Sequence, residues 1–433
     1  MAEDPSTLPF KSFDYNDFID IYKSLHSNPG LSLCETFAAS TVLKHLRSLN
    51  DSLPKSLQYT IHSSIGGHGI AAVLSNTDTP DNDPTILLRA DLDALPIEEK
   101  TNLPYASTTR AVDPADDVEK PVMHACGHDI HITSLLAAST LLSQHTDLWR
   151  GTLILVFQPN EERGAGAQAM VDAGLYDKVP IPDVVLGGHV LPLRAGSVTL
   201  HPGTMMAAAD SFRITLFGRG GHGSMPHRCI DPVVLAAHVV VRLQSIVARE
   251  VDPGEAAVVT VGSVVAGEAE NVIPETAVLK VNVRSRSEEG RRRVLGAIER
   301  VVRGECEASG CEKAPVIEET TRFPLTHNEE GATRKVMEGF GGHFGGNFGE
   351  EGPQVNASED VGVLATSVGR PLCFWHFGGV EEGVWDEKER EGRLMEDVPS
   401  NHSSLFAPVI QPTLRTGTEA FCVAALAFLG KSR

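Results

Sequence analysis

Residues 210–323 follow one order: strand, helix, two strands, helix, strand. The pieces fall at 211–217, 232–250, 257–266, 276–285, 288–306 and 314–320. This is the split βαβ arrangement of a ferredoxin-like domain. Local signals agree with it. Phe212, Ile214 and Leu216 alternate with Ser211, Arg213 and Thr215, the period of a strand with one apolar face. Asp231 before Pro232 marks a helix start, and Ser287 followed by two glutamates marks another.

The preceding residues read differently. Short apolar runs at 85–89, 152–157 and 184–186 alternate with helix-like stretches such as 131–144, the pattern of an α/β sandwich. Asp91 and Asp93, Glu161 and Glu162, and His189 all follow such runs. Loops at strand ends are where open α/β sheets place their sites. Beyond residue 324 come a glycine-rich loop around 340–352 that holds His343, a charged stretch at 381–397 and an apolar final helix near 416–429.

A chain of 433 residues with 41% hydrophobic content has apolar material for two cores. Its 57 acidic against 37 basic residues give a formal charge of -20, which repels phosphate backbones and anionic membranes. Neither nucleic acid nor a membrane is an expected partner. The seven cysteines are scattered and odd in number, which suits reduced thiols, and the first residues lack the basic and apolar regions of a secretory signal. A soluble cytoplasmic enzyme is the expectation.

Metal chemistry is suggested by four short segments. In MHACGHD, Cys126 and His128 lie two apart ahead of a helix, and Gly127 makes easy the turn that would aim both at one ion. Alone, such a pair also fits packing or surface roles. In FQPNEE an apolar strand that reads as buried on both faces ends in two glutamates. Adjacent side chains point apart, so Glu162 or its neighbour Glu161 can bind a metal while the other faces water as a general base. A solvated acidic turn is the plain alternative. His189 in GGHV and His402 in SNHSS bring the candidate donors to five, of types that suit zinc, cobalt or manganese, and five donors with water can hold two ions.

These segments, with RADLDALP, FQPNEERGAGAQAMVDAGL, GRGGHGSMPH, GEAENVIPETAVLKVNVRS, SED and NHS, resemble in order and spacing the successive motifs of the M20 family. The likeness is to its M20D aminoacylase branch, which includes hippurate hydrolases and auxin-conjugate hydrolases. The resemblance implies that Cys126, His128, Glu162, His189 and His402 hold one or two divalent ions (zinc, manganese or cobalt) and that Glu161 is the general base. It implies that Asp93 organises the metal site, with Asp91 supporting from behind. It also implies that His222 polarises the scissile carbonyl from the neighbouring subunit of a homodimer, and that Asn271 and Arg284 bind the substrate carboxylate or oxyanion. Read without the family, His222 is a loop histidine and Arg284 a surface strand arginine beside Lys280 and Asn282.

Four donor candidates precede the insert and His402 follows it, so residues 1–209 and 324–433 are expected to fold together as one discontinuous catalytic domain. Residues 210–323 would then be an inserted lid and dimerisation domain. No GxSxG elbow and no HExxH helix occurs, which disfavours serine-hydrolase and zincin chemistry. The expected reaction is hydrolysis of the amide bond of a small N-acyl amino acid. The other readings are a dipeptidase or carboxypeptidase on the same scaffold, and a non-catalytic, metal-stabilised dimeric binding protein. The segments SSLFAPVIQPTL and VWDEKEREGRLMEDVP depart from the family pattern and are expected to bear on substrate choice.

Overall fold

The computed structural model describes residues 8–77, 83–350, 352 and 354–431. The chain divides into two compact units. One comprises Met1–Met205, His327–Pro353 and Asp360–Arg433; the other comprises Met206–Thr326 and Gln354–Glu359. The sequence expectation groups residues 354–359 with the outer segments, whereas they fold with the insert. Backbone pairing draws them there: Ala207 N–H donates to the carbonyls of Val355 and Ala357, and Ser358 Oγ donates to Ala207 O at 2.7 Å.

The first unit is built on an eight-stranded sheet in the order Thr60–Ile65, Gly69–Asn76, Gly151–Gln158, Thr85–Asp91, Val184–Arg194, Leu372–Val380, Val198–Thr199, Phe348–Gly349. The strands from 151–158 through 372–380 are mutually parallel. Parallel strands are covered on both faces, and every residue of Gly151–Gln158 is buried. Ile86, Leu88 and Ala90 join Leu153, Leu155, Phe157, Cys373, Trp375 and Phe377 in the main core. Into it packs the helix His128–Gln144, sixteen of whose seventeen residues are buried. The alternate residues Arg89, Asp91 and Gln158 are also buried, so a band of polar side chains runs through the interior at the carboxyl ends of the strands.

Two local expectations change. The final helical span, Ile410–Leu429, begins earlier than expected, with an extended residue at Gln411 ahead of the continuous helix. The first part of the glycine-rich segment expected as a loop at 340–352 is the end of a helix, Glu330–Phe344, because Ala332, Val336 and Phe340 bury an apolar stripe that offsets the helix-weakening glycines; the chain leaves the helix at Gly345. His343 is not in a loop; its Nε2 lies 2.7 Å from Glu419 Oε2.

The second unit is a four-stranded antiparallel sheet in the order Ala257–Ala266, Thr276–Ser285, Ala208–Phe217, Val316–Phe323. Two helices, Pro232–Glu250 and Glu288–Ala308, lie on it. Asp231 caps the first by accepting from Val233 N–H, and Ser287 caps the second by accepting from Gly290 N–H. Leu279, Val281 and Val283 point into a core with Leu235, Val239, Leu243, Ile298 and Val302. Lys280, Asn282 and Arg284 therefore occupy the opposite face of the same strand.

Candidate metal centre

Four elements of the first unit converge on His128. Gly127, with φ 81°, turns the chain into the 128–144 helix. A Cβ there would lie 2.4 Å from Val190 Cγ1, so only glycine fits both the conformation and the space. The turn leaves Cys126 and His128 facing one point: Cys126, His128 and Glu162 offer ligand atoms within 4.8 Å of one another.

His189 comes from a neighbouring strand. It lies within the strand Val184–Arg194 and not after it, because that strand continues past the expected end alongside Leu372–Val380. Gly188 permits this close pairing, since a Cβ there would meet Trp375 Nε1 at 2.2 Å. His189 Nδ1 donates to Val190 O at 2.7 Å, which fixes the tautomer and leaves Nε2 as the acceptor facing Cys126 Sγ at 3.4 Å.

The paired glutamates do not point apart. Asn160 has a left-handed backbone, φ 55°, and this twist brings Glu161 Oε2 and Glu162 Oε1 to 3.8 and 3.7 Å from the same atom, His128 Nε2. His402, itself left-handed at φ 67°, is tied by its N–H to Ala125 O. Its Nε2 stands 3.4 Å from Glu162 Oε2. The five candidate donors thus meet in one place, although 276 residues separate His402 from Cys126 in the sequence.

Asp93 and Asp91 serve this cluster in different ways. Asp93 accepts the N–H of Glu161 through Oδ1 at 3.1 Å and the N–H of Glu162 through Oδ2 at 3.0 Å, and Oδ1 lies 3.5 Å from His128 Nδ1. Asp91 Oδ1 accepts from His131 Nδ1 at 2.7 Å, and Oδ2 is bonded to Arg89 Nη1 and lies 3.6 Å from His128 Nε2. Although Asp91, His128, His131 and His189 also cluster closely, both nitrogens of His131 are committed, since Nε2 accepts from Val190 N–H at 2.8 Å. His131 therefore orients its neighbours.

One imidazole thus faces four carboxylates within 4 Å. Burial draws the His128 pKa down, but Asp91, Asp93 and Glu162 outweigh it and hold the ring at about 10. Burial, and then the charges of Glu162 and Glu161, push the Cys126 thiol well above its usual range. Burial likewise lifts Glu162 to about 8 despite His128. Both His128 nitrogens and Glu162 Oε1 are buried without a hydrogen-bond partner among the described residues. Thiol, imidazole and carboxylate donors, an excess of negative charge and orphaned ligand atoms together fit a divalent cation.

The remaining candidates belong to the second unit. Gly221–His222 pairs with Val272–Ile273, and Gly223 N–H donates to Asn271 O at 2.8 Å, so His222 and Asn271 are neighbours. Ser224 N–H donates to His222 Nδ1 at 3.1 Å, which places the neutral ring's proton on Nε2 as an exposed donor. Arg284 is not a free surface arginine. Its Nε donates to Asn282 Oδ1 and its Nη1 to Ser358 Oγ.

Several supporting residues have no clear sequence signal. Arg89 joins Asp91, Gln158 and Asp360 in a buried network. Asn401 Nδ2 donates to Cys126 O and Val190 O, and His26 clamps Asp129 at 2.6 Å behind the metal helix. Asn401 and Asp360 do fall inside the NHS and SED segments, which offered a place for them but no role.

Residues 87–394 match the family described as Peptidase family M20/M25/M40. The hippurate hydrolase of Campylobacter jejuni is 38% identical over 354 residues, spanning 80% of this chain and 85% of that protein. The N-acyl-L-amino acid amidohydrolase of Geobacillus stearothermophilus is 38% identical over 296 residues, 68% of this chain and 74% of that protein. Among solved structures, a Bacillus subtilis protein described as a dinuclear metal binding peptidase from the M20 family matches with a TM-score of 0.72 at 26% identity, covering 96% of this chain and 98% of that one. Sequence, fold and donor cluster lead to one assignment: this chain belongs to peptidase family M20/M25/M40, in its aminoacylase branch, and is a metal-dependent amidohydrolase.

Proposed function

We propose that the enzyme hydrolyses the amide bond of small N-acyl amino acids, with one or two ions of zinc, manganese or cobalt held by Cys126, His128, Glu162, His189 and His402. The observation that carries this reading is the convergence of Cys126, His128 and Glu162 around orphaned imidazole nitrogens, with Glu161 beside them. A bound divalent ion supplies Lewis acidity and makes water a nucleophile near neutral pH. Glu161 accepts the proton of the attacking water on its carboxylate and delivers it to the leaving nitrogen. Asp93 fixes the backbone of both glutamates, which keeps that carboxylate in register.

His222, reaching the site of the neighbouring subunit, donates from Nε2 to the carbonyl oxygen, a contribution commonly worth about 3 kcal/mol for one donor. Asn271 assists it, and Arg284 takes the substrate carboxylate, for which a guanidinium fork is suited. Arg284 Nη2 has no partner among the described residues, which supports that role.

The working form in this reading is a cytoplasmic homodimer with the second unit as lid and dimerisation surface. Support for the dimer comes from Val233, Val234 and Val241, exposed on the 232–250 helix, and from Val258, Val264 and Val265, exposed on the edge strand 257–266. That helix is also long and apolar enough to cross a membrane by length and composition. Its Leu235, Val239, Leu243 and Ile246 are instead spent on the core of the second unit. All seven cysteines are unpaired, in keeping with a reducing compartment.

The test is hydrolysis of N-acetyl and N-benzoyl amino acids against the corresponding free dipeptides, after chelation and after restoring manganese, zinc or cobalt. Metal-dependent cleavage of the blocked substrates is expected. Turnover of free dipeptides alone would replace this reading with that of a dipeptidase.

A further inference from the structure

Glu35 is fully buried at the start of the helix Thr36–Ser52 and makes no capping bond to it. Its carboxylate is used elsewhere. Oε1 accepts two backbone amides, Leu33 N–H at 2.7 Å and Asn160 N–H at 2.9 Å, while Oε2 is buried with no hydrogen-bond partner among the described residues. Both donors have left-handed backbones, with φ 72° at Leu33 and 55° at Asn160. A leucine in that region is a steric outlier, and such conformations persist only where the surroundings over-determine them.

The amides that follow Asn160 are taken by the second buried carboxylate, Asp93, which accepts from Glu161 and Glu162. Three consecutive N–H groups, at residues 160, 161 and 162, are therefore held by two carboxylates. The segment around Glu35 also reaches Asp93 directly, since Ser32 Oγ donates to Asp93 Oδ2 at 2.6 Å. A second buried carboxyl group beside Asp93, its pKa lifted to about 7 by burial and by Asp93, is a costly way to brace an ordinary loop, for which a hydroxyl or a water would serve.

We infer that Glu35 is a positioning residue for the paired glutamates. By anchoring Asn160 in its left-handed conformation, it sets the directions of Glu161 and Glu162 so that both carboxylates reach one imidazole. This rests on the proposed roles of Glu161 as base and Glu162 as ligand.

The experiment compares Glu35→Ala and Glu35→Gln in the full-length protein. Manganese affinity is measured by calorimetric titration after chelation, and kcat and KM on an N-acyl amino acid that the wild type cleaves. Glu35→Ala is expected to weaken manganese binding and lower kcat by about tenfold or more, the usual scale for losing a residue that orients metal ligands, with KM little changed. Glu35→Gln keeps an oxygen that can accept the same two amides and is expected to remain within about threefold of wild type in both.

Should Glu35→Ala not fold, Glu35→Asp takes its place, since it keeps the charge but is one methylene too short to reach both amides; the same losses are expected. The inference is overturned by a folded Ala or Asp variant with wild-type manganese affinity and kcat. It is also overturned if the Gln variant falls as far as Ala, which would mean that charge matters and anchoring does not. If the wild type cleaves no blocked amino acid, the substrate reading fails, and the manganese affinities still decide the role of Glu35.

Discussion

Arg89 and Asp91 stand two residues apart on one strand and are joined by a 2.8 Å bond from Nη1 to Oδ2 in a place closed to solvent. Arg89 also holds Gln158 and Asp360, and Asp91 holds His131. Removing one partner of a buried pair leaves the other charge stranded, at about 3–5 kcal/mol. Arg89→Leu should therefore lower unfolding stability by that order, read as a shifted urea midpoint. A midpoint equal to wild type would mean that the network is not a structural pillar.

Glu161 and Glu162 are equally near His128, yet their proposed tasks differ. Glu161→Gln should retain metal and lose turnover by roughly 10²–10⁴, the range for a general acid–base. Stoichiometric metal together with undiminished kcat would remove Glu161 from the proton path.

Cys126 is the thiol of the Cys126, His128 and Glu162 group. Cys126→Ala should bind zinc at least tenfold more weakly while keeping its fold, by analogy with losses seen around ligated metals. Competition against a chromogenic chelator, alongside circular dichroism, checks both halves.

Arg284 is held at Nε and Nη1, which pre-orients its remaining nitrogen. Arg284→Lys keeps the charge but not the fork, and KM for a carboxylate-bearing substrate should rise by about tenfold or more, the scale of one hydrogen bond to a charged group. Esterifying the substrate carboxylate should erase the difference between the two proteins.

His26 provides a pH signature away from the ligands. Burial pulls its pKa down, but bonds to Asp129 at 2.6 Å and Glu99 at 3.0 Å outweigh it and raise the ring to about 9, above its ordinary 6.5. Burial pushes both partners up, but His124 and then a hydrogen bond from His26 hold Asp129 low, and hydrogen bonds from His26 and Thr101 hold Glu99 low, so they stay charged throughout. A raised histidine pKa stabilises fully below the unfolded value and loses that contribution as pH rises through the folded one. The gap in stability between wild type and His26→Gln should therefore be widest below pH 6.5, shrink as pH rises above that value, and close as pH passes about 9. A gap independent of pH would indicate packing against Tyr22 and Tyr105 in place of charge.

Much of this architecture is legible in the residues themselves. The strands 257–266 and 276–285 and the helix 232–250 have the bounds that their patterns suggest, because one apolar face sets the period of each. The glutamate pair illustrates the opposite case. Its convergence depends on a left-handed Asn160 and on amides captured by Glu35 and Asp93, and nothing local in FQPNEE encodes partners that far away. His343 misled for a related reason, since glycines signal a loop until a buried stripe on the same segment outweighs them. Arg89 and Gln158 hide because a buried strand reads as apolar even where polar residues complete each other inside it.

The interleaving of segments also constrains how the protein is made. The strand Val184–Arg194 has Thr85–Asp91 on one side from the start, but its other neighbour, Leu372–Val380, leaves the ribosome nearly two hundred residues later. Until then the nascent sheet carries an open edge of the kind that recruits stray strands. Residues 206–326 are nearly contiguous and have a core of their own, so they can fold while that edge waits. His402 arrives later still, so in the proposed site the full ligand set would exist only after the last strand of the sheet has been made.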